Sequence, residues 1–167
     1  MGKLISIVYK PQCASLTEGG YTRLPLQEAL LVVGSGIAGD TKGNSLTRQI
    51  NIMAADTMHD LAKEGFSAAP GEMGEQLILA EVEIDSLPVG AQLQIGAIAR
   101  IEVIEPRTGC GKFERYQGKL KSEAAGRLGK MCRVVAGGTI RLGDPVHILA
   151  AAAREEIPIW DTDLMKR

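Results

Sequence analysis

Cys110 sits in the run Glu105-Pro106-Arg107-Thr108-Gly109-Cys110-Gly111-Lys112, and its neighbours bias what a thiol can do there. Arg107 and Lys112 bring positive charge close, which favours thiolate over thiol, and the flanking glycines leave the sulfur uncovered. A thiolate is a nucleophile, the species that forms a persulfide, and a soft metal ligand. The plainer reading is a small residue in a tight turn; buried cysteines, however, usually sit in apolar runs, and this one does not. Cys132, inside Met131-Cys132-Arg133-Val134-Val135, reads as a strand residue, whereas Pro11-Gln12-Cys13 is loop-like and ambiguous. Cys110 is therefore expected to be the most reactive of the three, ionising below the ordinary ~8.5 of a free cysteine.

Two further loops offer groups that could line a pocket around that thiol. Residues 39–48 supply Gly39, Asp40, Lys42, Gly43 and Arg48. Glycine amides beside cations form an anion nest, so Lys42 and Arg48 are expected to make a phosphate-binding corner. The alternative is a solvated turn in which Arg48 pairs with a surface acid. Pro70-Gly71-Glu72-Met73-Gly74-Glu75-Gln76 offers two carboxylates between two turns. His59 and His147 have no metal-ligand spacing and read as structural, and without a Cys/His cluster no zinc site is expected. Gly34-Ser35-Gly36-Ile37-Ala38-Gly39 is a literal G-x-G-x-x-G. A dinucleotide site needs those glycines to open a helix. Asp40-Thr41-Lys42-Gly43-Asn44-Ser45 is turn chemistry instead, and that reading is set aside.

The elements that must position these loops are mostly strands. Leu4–Tyr9 is rich in β-branched residues; Ala29–Val33 reads as a short buried strand; Arg48–Met53 alternates. Residues 10–28 carry no clear signal. From Ala54 to Lys63 the period becomes helical, with Ala54, Met58, Leu61 and Ala62 on one face and Gly65 as the stop. Strands follow over 76–84, around Leu93 and Ile95, and over 98–105, with a type I turn expected at Leu87-Pro88-Val89-Gly90. Residues 112–128 read as a helix broken near Gly118. The clearest pattern is a hairpin, Met131–Ala136 and Thr139–Leu149, joined by Gly137-Gly138 in a type I′ turn. The tail, 150–167, with Pro158 and Trp160, reads as an irregular strap.

Bulk properties agree with a small β-barrel carrying one or two helices, in one domain over 1–167. The chain has 167 residues and 20 glycines, about 12% against a usual ~7%, as many tight turns require. With 2 Phe and 1 Trp, the core must rest on Val, Ile, Leu and Ala. Lys+Arg number 19 and Asp+Glu 20, and a net charge of -1 argues against a nucleic-acid partner. No secretory pattern and no apolar run of membrane-spanning length is visible, and an odd set of 3 cysteines fits a reducing cytoplasm.

Five segments in order resemble the MOSC domain family, named for the C-terminal part of molybdenum cofactor sulfurase. Gly36-Ile37-Ala38-Gly39-Asp40 with Arg48-Gln49-Ile50 is similar to the family's opening signature. Gly71–Leu77 resembles its Gly-Glu-Asn-Leu segment, and Leu87–Gly96 its L-x-x-G-x-x-L-x-I-G stretch. Cys110 falls at the signature cysteine, and Val135–Asp144 resembles the closing hairpin; together the match spans roughly 34–149. Gln76 stands in place of the usual Asn, and Lys42 about where many members have His. The resemblance implies a β-barrel that binds molybdenum cofactor or carries sulfur as a persulfide, with a sulfur donor or acceptor protein as partner. It makes Cys110 the catalytic residue and metal ligand, with Gly39, Asp40, Lys42, Gly43, Arg48, Gly74, Glu75 and Arg107 as cofactor-binding residues. A molybdenum enzyme of this kind would reduce N-hydroxylated compounds with an external electron donor. The chain has no pyridoxal phosphate-dependent sulfurase segment, so no pyridoxal phosphate is expected. A different class of function stays open, a non-catalytic barrel that binds an anionic small molecule or protein partner through residues 39–48.

Overall fold

The computed structural model describes residues 1–12, 23–43 and 45–149. The first strand, β1 (Gly2–Tyr9), is followed by the short β2 (Leu24–Pro25), β3 (Glu28–Val32) and β4 (Gly36–Ile37). Then come β5 (Ile50–Ala54), α1 (Ala55–Lys63) and β6 (Leu77–Ala80). Strands β7 (Gln92–Ile95) and β8 (Ala99–Pro106) lead into α2 (Gly111–Gln117) and a 3-10 turn at Lys121–Ala124. The last strands are β9 (Lys130–Ala136), β10 (Gly138–Arg141) and β11 (Pro145–Leu149). Seven strands close into a barrel in the order β1-β6-β5-β9-β8-β7-β11, with β11 returning to β1. Among the described strands, only β5 and β6 pair in parallel, with α1 between them as part of the crossover. Outside the barrel, β2 adds to β1, and β10-β3-β4 form a separate small sheet.

Strand periodicity explains the two cores. Ile50, Ile52 and Ala54 of β5, and Leu77 and Leu79 of β6, point into the barrel among Ile101, Val103, Cys132 and Val134. Met53 and Ile78 point outward into a second cluster with Met58, Leu61, Phe66, Met73, Phe113 and Leu128. Both phenylalanines of the chain are in this outer cluster, ring centroids 6.2 Å apart. The barrel itself is filled by aliphatic side chains, as the composition requires. β5 is thus buried on both faces, and one polar residue, Asn51, lies among its apolar neighbours.

Several expectations change. The hairpin over 131–149 does not form: β9 pairs with β5 and β8, β10 with β3, and β11 with β1 and β7. Gly137 lacks the positive φ that a type I′ turn demands, and the chain instead passes there from one sheet to another. The segment 139–149 is two strands, broken at Gly143 (φ +88°), where the Asp144 amide donates to Arg141 O. The turn near Pro88 is one residue later than expected: the Ala91 amide donates to Pro88 O and Gly90 has φ +89°, which is type II geometry. β3 buries only Ala29 and Leu31 and exposes Leu30 and Val32, so it is half-buried rather than fully buried. Ala62 is exposed, leaving Met58 and Leu61 as the buried positions of α1. The helix over 112–128 is α2, ended by Gly118 in the left-handed conformation, and then the 3-10 turn. Gly34, Gly36 and Gly39 shape the turns around β4 and open no helix. Cys13 and the tail 150–167 lie outside the described residues. No described helix is long and apolar enough to cross a membrane.

Candidate functional site

Strand β8 ends at Pro106, and the four residues before α2 carry the thiol. Arg107 anchors this link, its amide donating to Gly129 O at 3.0 Å. Its guanidinium donates to Met73 O and lies 5.7 Å from the Phe113 ring centroid. Gly109 is a glycine because of packing, not exposure: a Cβ there would sit 2.7 Å from Lys121 Cβ and 3.1 Å from Phe113 Cδ1. Cys110 follows at the surface, the residue before α2, and is exposed. Cys132 differs in every respect. It is fully buried in the barrel, and desolvation, with Glu102 nearby, pushes its thiol pKa far up.

The thiol opens onto a cavity of about 220 Å³. Of the residues expected at a site, Lys42, Arg48, Gly74, Arg107 and Cys110 line it together, and so does Lys112. Arg23, Asn51, Gln76 and Met131 complete the wall. Five cationic side chains therefore face one small space, and none of the described residues lining it is a carboxylate. Arg48 also pairs with Glu105 at 2.5 Å, the surface-acid contact weighed as its alternative. The crowding is visible at Lys42. Its ammonium pKa is lowered by partial burial first and then by Lys112, Lys10 and Arg23, with Asp40 opposing. An anion in the cavity would relieve that repulsion.

Four expected cofactor residues stand elsewhere. Asp40 is buried, accepting from the amides of Lys10 (3.1 Å) and Lys42 (3.2 Å) and from Gln76 Nε2 (3.3 Å). The Gly43 amide donates to Asp40 O, and a Cβ at Gly43 would lie 2.1 Å from Ser35 O. Lys42 and Gly43 amides are thus committed to the loop itself and form no open nest. Gly39 is an exposed turn residue at φ +83° outside the cavity wall. Glu75 is fully buried just behind the wall, between Gly74 and Gln76, which line it. Its Oε1 accepts from the Gly71 amide, its Oε2 has no hydrogen-bond partner among the described residues, and desolvation raises its pKa. His59 and His147 are exposed, and no group of three or more His, Cys, Asp or Glu that could hold a metal occurs among the described residues.

Asn51 and Arg23 are lining residues that sequence reasoning missed, and Asn51 carries the clearer signal. It is 2% exposed, and neither Nδ2 nor Oδ1 has a hydrogen-bond partner among the described residues. Its backbone is fully used, accepting from the Gln76 amide and donating to Gln76 Oε1 at 2.8 Å. A buried amide without partners costs about 1–3 kcal/mol, so a ligand with both a donor and an acceptor would suit it. The signal was present: one polar residue between Ile50 and Ile52 in a strand buried on both faces. Arg23 was hidden in the stretch without a pattern; it donates to Gly74 O at 3.2 Å.

These positions coincide with a known family. A family model for the MOSC domain matches residues 39–147, and the chain belongs to the MOSC domain family. Among solved structures, the fold is similar to the YUAD protein from Bacillus subtilis, with a TM-score of 0.71 at 20% identity over 87% of this chain and 94% of that one. It is also similar to YiiM from Geobacillus stearothermophilus (TM-score 0.68, 19% identity, 90% of this chain and 76% of that one). YiiM from Escherichia coli gives a TM-score of 0.67 at 19% identity, over 90% of this chain and 71% of that one. No curated protein matches the sequence significantly.

Proposed function

We propose that the cavity binds molybdenum cofactor, with Cys110 as the sulfur ligand or sulfur-carrying group at its mouth. The observation that carries this reading is the convergence of five cations, a partnerless buried amide and an exposed thiol on one space. The residues fit the group's chemistry. Lys42 and Arg48, with Arg23 and Arg107 beside them, suit its phosphate, the Asn51 amide suits the polar edge of a pterin, and a thiolate is a soft donor for the metal. Bound there, the cofactor would supply two-electron redox chemistry with atom transfer, including reduction of N-hydroxylated compounds when an external donor delivers electrons. As a sulfur carrier, the Cys110 thiolate would attack the outer sulfur of a donor persulfide, forming the Cys110 persulfide and releasing the donor's thiolate.

Titration of a phosphorylated pterin tests the reading. Lys42→Ala combined with Arg48→Ala should weaken binding by about 1–3 kcal/mol for each cation removed. Unchanged binding would remove this corner from the site. A non-catalytic anion-binding barrel is favoured by one observation, the cation cluster itself, and is separated from the first reading by Cys110→Ala. Loss of molybdenum or sulfur with retained phosphate binding supports cofactor handling; indifference to Cys110 supports the simpler barrel.

A further inference from the structure

Glu75 is the buried acid that the proposed function leaves unused. Its carboxylate lies behind the cavity wall with one oxygen on the Gly71 amide and the other without a partner among the described residues. The two arginines that line the cavity bracket it: Arg107 donates to Met73 O and Arg23 to Gly74 O, the two residues that precede Glu75. Both also act on its charge. Among the described residues, these two arginines are the cations that act on it, one entering β2 and one leaving β8. Glu72 on the same loop is committed to the Tyr116 hydroxyl and the Ala69 amide, and Asp40 to Gln76 and two amides.

We propose that Glu75 is a positioning residue that competes with the bound anion for Arg23 and Arg107, so that the cavity releases its anion as pH rises. This rests on the reading of the cavity as an anion site. With Glu75 neutral, both guanidinium charges are directed at the cavity. Ionised, its partnerless buried oxygen requires a cation, and the same two arginines supply it. Burial, the largest influence on Glu75, holds it toward the neutral form, while the arginines oppose that. An anion in the cavity screens the arginines, so anion and proton bind together. The coupling is reciprocal: protonation tightens the anion and the anion raises the proton affinity of Glu75.

Calorimetric titration of the full chain with sulfate, a dianion throughout pH 5–7.5, tests this, using two buffers of different ionisation enthalpy at each pH. The expected result is proton uptake on sulfate binding, with an affinity that falls as pH rises, tenfold for each unit by which sulfate raises the Glu75 pKa. Glu75→Gln should bind sulfate with the low-pH affinity at every pH and take up no proton. A Gln variant with the wild-type pH slope, or wild-type binding with no proton uptake, overturns the role of Glu75 while leaving the anion site standing. No sulfate binding by the wild type at any pH overturns both. The wild-type proton count needs no variant to fold.

Discussion

Replacing Asn51 by Leu should separate the stability of the barrel from the use of its cavity. The Asn51 amide is buried with neither atom partnered among the described residues, so an apolar side chain of similar size removes a desolvation cost of about 1–2 kcal/mol. Urea denaturation should show the variant as stable as the parent or more so, while pterin binding weakens. Marked destabilisation would mean that the amide is already satisfied within the protein alone. The cysteines allow a second comparison. Cys110 is exposed among cations, and Cys132 is buried with its thiol held protonated well above neutral pH. Iodoacetamide at pH 7 should therefore modify Cys110 much faster than Cys132, read by peptide mass; equal rates, or protection of Cys110, would rule out the carrier role.

At the scale of elements, the site hangs on how the β8–α2 link meets the turn before β9. Gly129 sits there at φ +80°, and a Cβ would lie 2.0 Å from Ile52 O. Its carbonyl also accepts from the Arg107 amide. Gly129→Ala should destabilise the fold by about 3 kcal/mol or more, combining left-handed strain with a backbone clash, and should disturb Arg107; a loss below about 1 kcal/mol in urea denaturation would contradict this packing. Local pattern made β1, α1, β8 and the break at Gly118 legible in the sequence, because each is set by near neighbours. Sheet partners were not legible. Gly137-Gly138 between two alternating runs signals a hairpin, yet tertiary pairing sends β9 and β10 to different sheets. The same limit applied to the site. Lys42, Arg48, Arg107 and Cys110 carried visible chemistry, whereas Arg23 and Asn51 gain meaning only from the barrel that brings them beside the thiol. The glycine amides of residues 39 and 43 read as an anion nest, yet the Gly43 amide donates to Asp40 O and the Lys42 amide to Asp40 Oδ1 within the loop itself.

For the whole molecule, one buried carboxyl and one crowded, partly covered ammonium make stability depend on pH in two windows. Glu75 has a folded pKa raised above 4.5, chiefly by desolvation, so across the interval above 4.5 the native state binds more protons than the unfolded chain. Stability therefore falls as pH rises through that interval. Lys42 has a folded pKa lowered from 10.5, chiefly by burial, so the native state binds fewer protons there and stability rises with pH up to 10.5. Thermal melts should show Glu75→Gln flattening the acid side of the profile only, and an unaltered acid limb would place the dependence on another group. Although the net charge is -1, five of the 19 lysines and arginines line one cavity, so positive field is locally concentrated where the thiol is. The most direct test of that arrangement is elemental analysis of the protein purified from molybdenum-sufficient cells, alongside Cys110→Ser and the Lys42→Ala, Arg48→Ala pair. Molybdenum approaching one atom per chain in the parent, and strongly reduced in both variants, is the result expected. A parent protein without molybdenum, or variants that retain it in full, would contradict the assignment of this cavity to the cofactor.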